Sequence, residues 1–140
     1  MDISDILLPV KAHSAIFYLR DEKGVFIKEK GKKVGFELWA RDSKAGIRAQ
    51  IATDRFRANL HEELKGLPDD EALVEKVFAA TEINRLVVQH MFKGVIGELT
   101  LDGKPITTEN IGDVLPRLKP ELIKEMVEFT KSDKNYLGKP

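Results

Sequence analysis

The sequence predicts an α+β fold, in which an N-terminal three-stranded antiparallel β-meander is followed by a C-terminal helical part of about four helices. Two observations predict it. Residues 14–40 form short segments rich in β-branched and aromatic residues, which is typical of strands. From residue 42 onward, apolar residues recur at spacings of three and four, which is typical of amphipathic helices. Because the strands precede the helices instead of alternating with them, the pattern indicates α+β.

The chain has 140 residues, a length that favours a single domain. Within residues 1–140 we expect a meander part over 1–41, a helical part over 42–131 and a flexible tail over 132–140. The tail, "SDKNYLGKP", is polar and follows the last predicted helix. Terminal segments of this kind often fray.

The three strands are predicted in "HSAIFYLR", "GVFIKEK" and "KVGFELWA". Turn-like "DEKG" separates the first two, and "KGKK" separates the next two. Each segment shows partial two-residue alternation, as in Val34, Phe36 and Leu38. Short connections join neighbouring antiparallel strands, so we expect the three to pair in chain order.

The first helix is predicted over 42–64, with Asp42 or Ser43 as its N-cap. Gly66 ends it, and Asp69 and Asp70 suit the first turn of the next helix through the helix dipole. One apolar stripe follows the first helix: Ala45, Ala49, Ala52, Phe56, Leu60 and Leu64.

The second helix, predicted over 69–92, is apolar on more than one side. Its main stripe comprises Leu73, Val77, Ala80, Leu86, Val87 and Met91, and Val74, Phe78, Ile83 and Val88 widen it. Such a helix usually contacts more than one neighbour. We therefore predict a partner-binding or self-association surface at Val74, Phe78 and Val88. The alternative, that these residues are core beneath the sheet, stays open.

The rest of the sequence predicts a hairpin or loop and two further helices. "GELTLDGKPIT" indicates a hairpin or extended loop around the turn dipeptide Asp102-Gly103. Thr107 or Thr108 is expected to cap a short helix that ends near Pro116. Pro120 suits the first position of a last helix, "PELIKEMVEFT".

Composition excludes several classes of protein. There are no cysteines, so disulfides, thiolate metal sites and a cysteine nucleophile are excluded. The formal net charge is zero, whereas nucleic-acid binders usually carry a basic excess. No segment approaches the uncharged apolar length that spans a membrane, and the N-terminus lacks a basic signal-peptide start. We therefore expect neither a membrane partner nor a nucleic-acid partner.

The residues that could carry catalysis or bind metal are isolated. His13, His61 and His90 lie too far apart for a helical metal motif. Ser43 sits in a helix start rather than a strained nucleophile turn. The acidic run from Asp69 to Glu71 matches no calcium loop. The sequence therefore nominates no catalytic, cofactor-binding or metal residue, and we expect a binding or assembly protein that is not an enzyme.

One basic segment leaves open the hypothesis that the protein binds nucleic acid. Lys28, Lys30, Lys32 and Lys33 form a basic hairpin tip beside Phe26 and Phe36, and such an arrangement can contact a phosphate backbone. The competing interpretation is a solvated turn whose lysines protect an edge strand from pairing with other chains.

Two stretches together resemble a known family. "VGFELWARDSKAGIRAQ" runs from a strand into an Ala- and Arg-rich helix. "GELTLDGKPITTENIGDVLPRLKPELIKEMVEFTKSDKNYL" combines a "DGKP" turn, a "TTEN" helix start, a Pro-containing break and a last helix. In this order they resemble the small tail assembly chaperones of long-tailed bacteriophages and prophages, over residues 34–57 and 97–137. The chain departs from the pattern at Ile106-Thr107, where relatives often carry Phe.

The resemblance implies a non-catalytic chaperone in the cytoplasm of an infected or lysogenic bacterium. Its partners would be the long helical tape measure protein and the tail-tube protein. Two alternatives remain open at this point. One is a minor virion structural or head–tail connector protein, which would stay in the finished particle. The other is a small nucleic-acid-binding regulator that uses the lysine-rich tip.

Overall fold

The fold is α+β, as the sequence predicts. We describe it from a computed structural model, which covers residues 2, 3, 7 and 11–137. The strands are β1 (Ser14–Tyr18), β2 (Lys28–Glu29), β3 (Lys32–Lys33), β4 (Gly35–Trp39), β5 (Phe92–Ile96), β6 (Thr100–Leu101) and β7 (Lys104–Pro105). The helices are α1 (Lys44–Leu64), α2 (Asp69–Met91), α3 (Ile111–Val114) and α4 (Pro120–Lys131). Among the described residues no helix is both long and apolar enough to cross a membrane.

The central sheet is antiparallel and has the order β1-β4-β5, which differs from the predicted meander. Its third strand comes from Phe92–Ile96, after α2, and not from "GVFIKEK". That segment contributes only β2, which pairs with β3 in a small two-stranded ladder, because Lys30 and Gly31 both adopt positive φ and reverse the chain tightly. A register shift opposite Glu37 and Leu38 interrupts the alternation of β5, so a period-two test does not detect the strand.

The helix boundaries agree closely with the sequence pattern. Ser43 is the N-cap of α1, where its hydroxyl oxygen accepts a hydrogen bond from the Gly46 backbone N–H at 3.2 Å. Gly66 has a φ of +84°, as expected of a helix-ending glycine. Pro120 occupies the first turn of α4. The predicted cap of α3 was wrong: its N-cap is Asn110, whose side-chain oxygen instead accepts from the Thr107 backbone N–H at 2.7 Å.

The core lies between one face of the sheet, the second half of α2, and α3 with α4. Phe36 and Leu38 of β4 point into it, together with Val88 of α2. The other fully enclosed members are Phe92, Ile106, Ile111, Val114, Leu115, Ile123, Met126 and Val127. α1 packs along α2 as an antiparallel hairpin. The hairpin therefore meets the rest of the domain through α2.

The segment after α4 is docked up to Leu137, which corrects the predicted flexible tail. Tyr136 is only 2% exposed, and its hydroxyl donates a hydrogen bond to the Trp39 carbonyl oxygen at 3.2 Å. Its backbone carbonyl accepts from the Ala12 N–H at 2.7 Å. Burial raises the pKa of Tyr136, so the hydroxyl remains a neutral donor. Because the segment is polar in composition, the sequence contains no signal that Tyr136 is buried. Residues 138–140 lie outside the described part of the chain.

A charged network crosses the opposite face of the sheet and predicts a pH effect. The Ser14 hydroxyl donates to the Glu37 carboxylate at 2.6 Å, and Lys93 lies 3.1 Å from the same oxygen. The hydrogen bond from Ser14, then that from Lys93, lower the pKa of Glu37 below its usual value of 4.5. Because the pKa of Glu37 is lower in the folded state than in the unfolded state, its ionised form stabilises the fold at pH values above the unfolded-state pKa. This stabilisation is lost as the pH falls through the folded-state pKa.

We therefore expect the free energy of unfolding of the wild type to fall more steeply below about pH 4.5 than that of Glu37→Gln. Urea titrations of both proteins between pH 7 and pH 3 measure the difference. Glu29→Gln, on β2, is the matched control, because Glu29 forms no ion pair within the described residues, and it should follow the wild type. Parallel curves for the wild type and Glu37→Gln would contradict the network.

Candidate partner-binding surface

An apolar surface lies on the first half of α2. Leu73, Val74, Val77 and Phe78, here called the α2 patch, are between 60% and 66% exposed. They follow the i, i+1, i+4, i+5 spacing that puts side chains on one side of a helix. Single exposed apolar residues are ordinary on a protein surface, whereas a contiguous group of large ones marks an interaction site.

The α2 patch continues the face through which α2 enters the core. Val77 precedes Val88 by eleven residues and Leu73 precedes Met91 by eighteen. At about 100° per residue these pairs differ by only about 20° and 0° around the helix. Val88 and Met91 are buried. One apolar stripe thus runs along α2, covered in its second half and open in its first half.

The reason for this division is the length of the hairpin. The second half of α2 packs against β4, α4 and the 3₁₀ turn Leu115–Arg117. From Glu71 to Phe78, every residue except Ala72 is exposed, and the inward-facing Ala79 follows. There the helix touches α1 on one side, and its other side extends past the body of the domain.

The structure separates the three residues predicted for partner binding. Val74 and Phe78 are exposed, as a binding role requires. Val88 is 0% exposed and lies in the core, so its place in the predicted surface was wrong. It packs under the sheet because it lies in the covered half of the stripe. Conversely, Leu73 and Val77, which the periodicity assigned to the main stripe, belong to the surface. Periodicity alone identifies the apolar face of a helix, but it does not show how far along the helix that face is buried by other elements.

The sequence around the α2 patch is mainly acidic. Around the α2 patch lie Asp69, Asp70, Glu71 and Glu75, with Lys76 as the local cation. None of these four carboxylates forms an ion pair within the described residues. The rim of the patch is therefore acidic and available to a basic partner.

A smaller apolar pair lies on α1. Ile47 and Ile51 are 56% and 46% exposed, one helical turn apart. They lie on the side of α1 opposite to Ala49 and Thr53, which are buried against the rest of the fold. This pair is separate from the α2 patch and provides a matched surface for comparison.

The other candidate residues are not brought together. No group of three or more acidic or histidine side chains within the described residues is placed to hold a metal ion. Ser43 acts as a helix cap. In the lysine-rich tip, Lys33 lies over the Phe26 ring at 4.0 Å, a cation–π contact within the domain. Lys33 therefore packs on an aromatic ring of its own domain, and Lys28, Lys30 and Lys32 are exposed.

Comparison of the chain with family models, with curated proteins and with solved structures finds no match to any of them.

Proposed function

We propose that this protein is a non-catalytic binding protein that holds the apolar face of a helical partner against the α2 patch. The observation that carries this proposal is the continuous stripe of α2, buried at Val88 and open at Val77. An apolar helical face is complementary to another amphipathic helix. With the sequence resemblance, this supports a phage tail assembly chaperone in the bacterial cytoplasm, with the tape measure protein as client and tail-tube subunits as displacing partner.

The size of the patch suits a contact that can be displaced. Fully burying one large apolar side chain contributes about 1.5–3 kcal/mol. Four side chains that are already one-third covered therefore supply on the order of 6 kcal/mol, before the cost of association is subtracted. A single copy would bind weakly, and several copies along one client would gain avidity. A chaperone that must leave when tube subunits assemble requires this combination.

The acidic rim adds a preference for the flanks of the client helix. Asp70, Glu71 and Glu75 border the patch without ion-pair partners in the described chain. Opposite charge across an interface raises the association rate and disfavours wrong partners. We expect a client helix with Lys or Arg beside its apolar stripe to bind faster than one with Glu, and the difference to shrink as salt is added.

The experiment is co-purification with a tape measure protein as the candidate long helical client, followed by affinity measurement on helical fragments of that client. The double variant Val77→Ser, Phe78→Ser should weaken binding by about 30-fold, as expected when anchor residues of an interface are truncated. The matched control Ile47→Ser, Ile51→Ser should bind as the wild type does. Undiminished binding by the α2 variant would contradict the proposed surface.

The same material separates a chaperone from a virion component. A chaperone is absent from purified tails or particles, whereas a structural or connector protein remains in them. Mass spectrometry of purified particles makes this comparison. Recovery of the protein in the finished particle at stoichiometric amounts would replace the chaperone proposal with the structural one.

A further inference from the structure

A second site lies between α1, α2 and α4, on the side of the hairpin that faces the domain. It is a cleft of about 240 Å³. Gly46, Ala49 and Thr53 of α1 form one wall, and residues of α2 and α4 form the others. It lies beside the covered half of α2, whose Met91 lines it, and shares no residue with the α2 patch. The proposed partner binding leaves it unused.

The charge of the cleft is one-sided. Arg41, Arg57 and Lys131 line it, and no acidic residue of the described chain does. Neither Arg41 nor Arg57 forms an ion pair or side-chain hydrogen bond within the described residues. Lys131 lies 3.9 Å from Glu128, a long contact that leaves its ammonium group largely free. Two arginines without ion-pair partners and one lysine therefore line the same space.

One wall of the cleft carries a buried hydroxyl group. Thr53 lines the cleft and is 4% exposed, and its Oγ1 is enclosed by protein without a hydrogen-bond partner within the described chain. An unpaired buried hydroxyl lowers stability, because it loses its hydration without compensation. Replacing it with an apolar group of the same shape should therefore be neutral or stabilising.

The floor of the cleft is apolar. Val87 and Met91 of α2 and Val127 of α4 lie beneath the basic rim. A ligand matched to this lining has an anionic head and a short hydrocarbon stem. A volume of about 240 Å³ lies below the range of roughly 300–1,000 Å³ that is typical of pockets for drug-sized ligands. The cleft therefore favours a smaller ligand.

From these observations we infer that the cleft binds a small monocarboxylate. Its carboxylate accepts hydrogen bonds from Arg57 and Arg41, and its stem packs on Val87 and Met91. Arginine presents a planar pair of donors that matches a carboxylate. This inference does not rest on the proposed partner binding, because the two surfaces use different residues.

The test uses the full chain and three probes of similar size. Butyrate carries the charge and the stem, butyramide has the same shape without the charge, and inorganic phosphate has charge without the stem. We expect butyrate to shift the Met91 methyl and Thr53 amide NMR signals saturably. Butyramide and phosphate should each bind at least about tenfold more weakly, because a hydrogen bond to a charged group and the burial of a stem each contribute on this scale. Equal binding of butyrate and butyramide, or no shift at these signals, would overturn the inference.

Variants locate the contacts. Arg57→Gln should weaken butyrate binding about tenfold, the loss expected for one charge-assisted hydrogen bond. Arg55→Gln, on the same helix outside the cleft, should bind as the wild type does. Thr53→Val keeps the shape of the side chain and removes only the enclosed hydroxyl, so it should bind butyrate as the wild type does while its thermal midpoint stays equal or rises. If Arg55→Gln and Arg57→Gln weaken binding equally, the effect is one of general charge and the site is refuted.

Discussion

Replacing Val88 with alanine is expected to lower the free energy of unfolding by about 2–3 kcal/mol, from the lost transfer energy of two methyl groups plus the cavity they leave. The same replacement at Val77 should change it by less than about 0.5 kcal/mol. The two valines lie on one face of α2, but Val88 is 0% exposed and Val77 is 66% exposed. Comparing the two variants therefore shows where along α2 the apolar stripe stops being buried by neighbouring elements.

Urea unfolding of the two variants and the wild type provides the measurement, with equal m-values as the condition for comparing midpoints. Alanine has a higher helix propensity than valine. The free energy of unfolding of Val77→Ala can therefore exceed that of the wild type by about a few tenths of a kcal/mol. If both variants lost the same stability, the first half of α2 would be packed against something in solution. That result would also remove the basis for an open α2 patch.

Replacing Gly46 with alanine is expected to destabilise the protein by about 2 kcal/mol, even though alanine favours helices by about 1 kcal/mol over glycine. A Cβ at Gly46 would lie 1.8 Å from the Arg41 carbonyl oxygen and 2.4 Å from the carbonyl carbon. Backbone cannot move aside as a flexible side chain can. The turn from β4 into α1 would have to shift, and with it the Ser43 cap and the position of Arg41 in the cleft.

Gly94 provides the matched control, because a Cβ there meets nothing within 4 Å and its φ is not positive. Gly94→Ala should be neutral or slightly stabilising, since glycine in a strand has a larger conformational entropy to lose. Thermal unfolding of both variants decides the comparison. Similar midpoints for Gly46→Ala and the wild type would show that the β4–α1 turn is not as close as described.

The helical half of the fold could be predicted almost completely from local patterns. The boundaries of α1, α2 and α4 follow from Ser43, Gly66 and Pro120, whose backbone preferences act within a few residues. The periodicity also identified the two apolar sides of α2. These features depend on short-range geometry, which the order of residues contains directly.

The sheet could be predicted only in part. β1 and β4 were found because they lie in short segments rich in β-branched and aromatic residues, with partial two-residue alternation. The choice of β5 as their third partner depends on contacts between residues far apart in the chain, such as Phe36 with Val95. The register shift beside Leu38 removed the local signal of β5. Strand pairing is therefore decided by which buried faces match.

The candidate surface shows the same division. The sequence by itself determined that α2 is apolar over a wide arc, that no metal or thiol chemistry is nominated, and that the charges balance. Only the tertiary structure decided that Val88 is core and Val77 is surface, that Tyr136 anchors the last described segment, and that Arg57 and Thr53 face one cleft. The physical reason is that the apolar stripe of a helix shows which side chains can be buried, whereas their actual burial depends on where the neighbouring elements end.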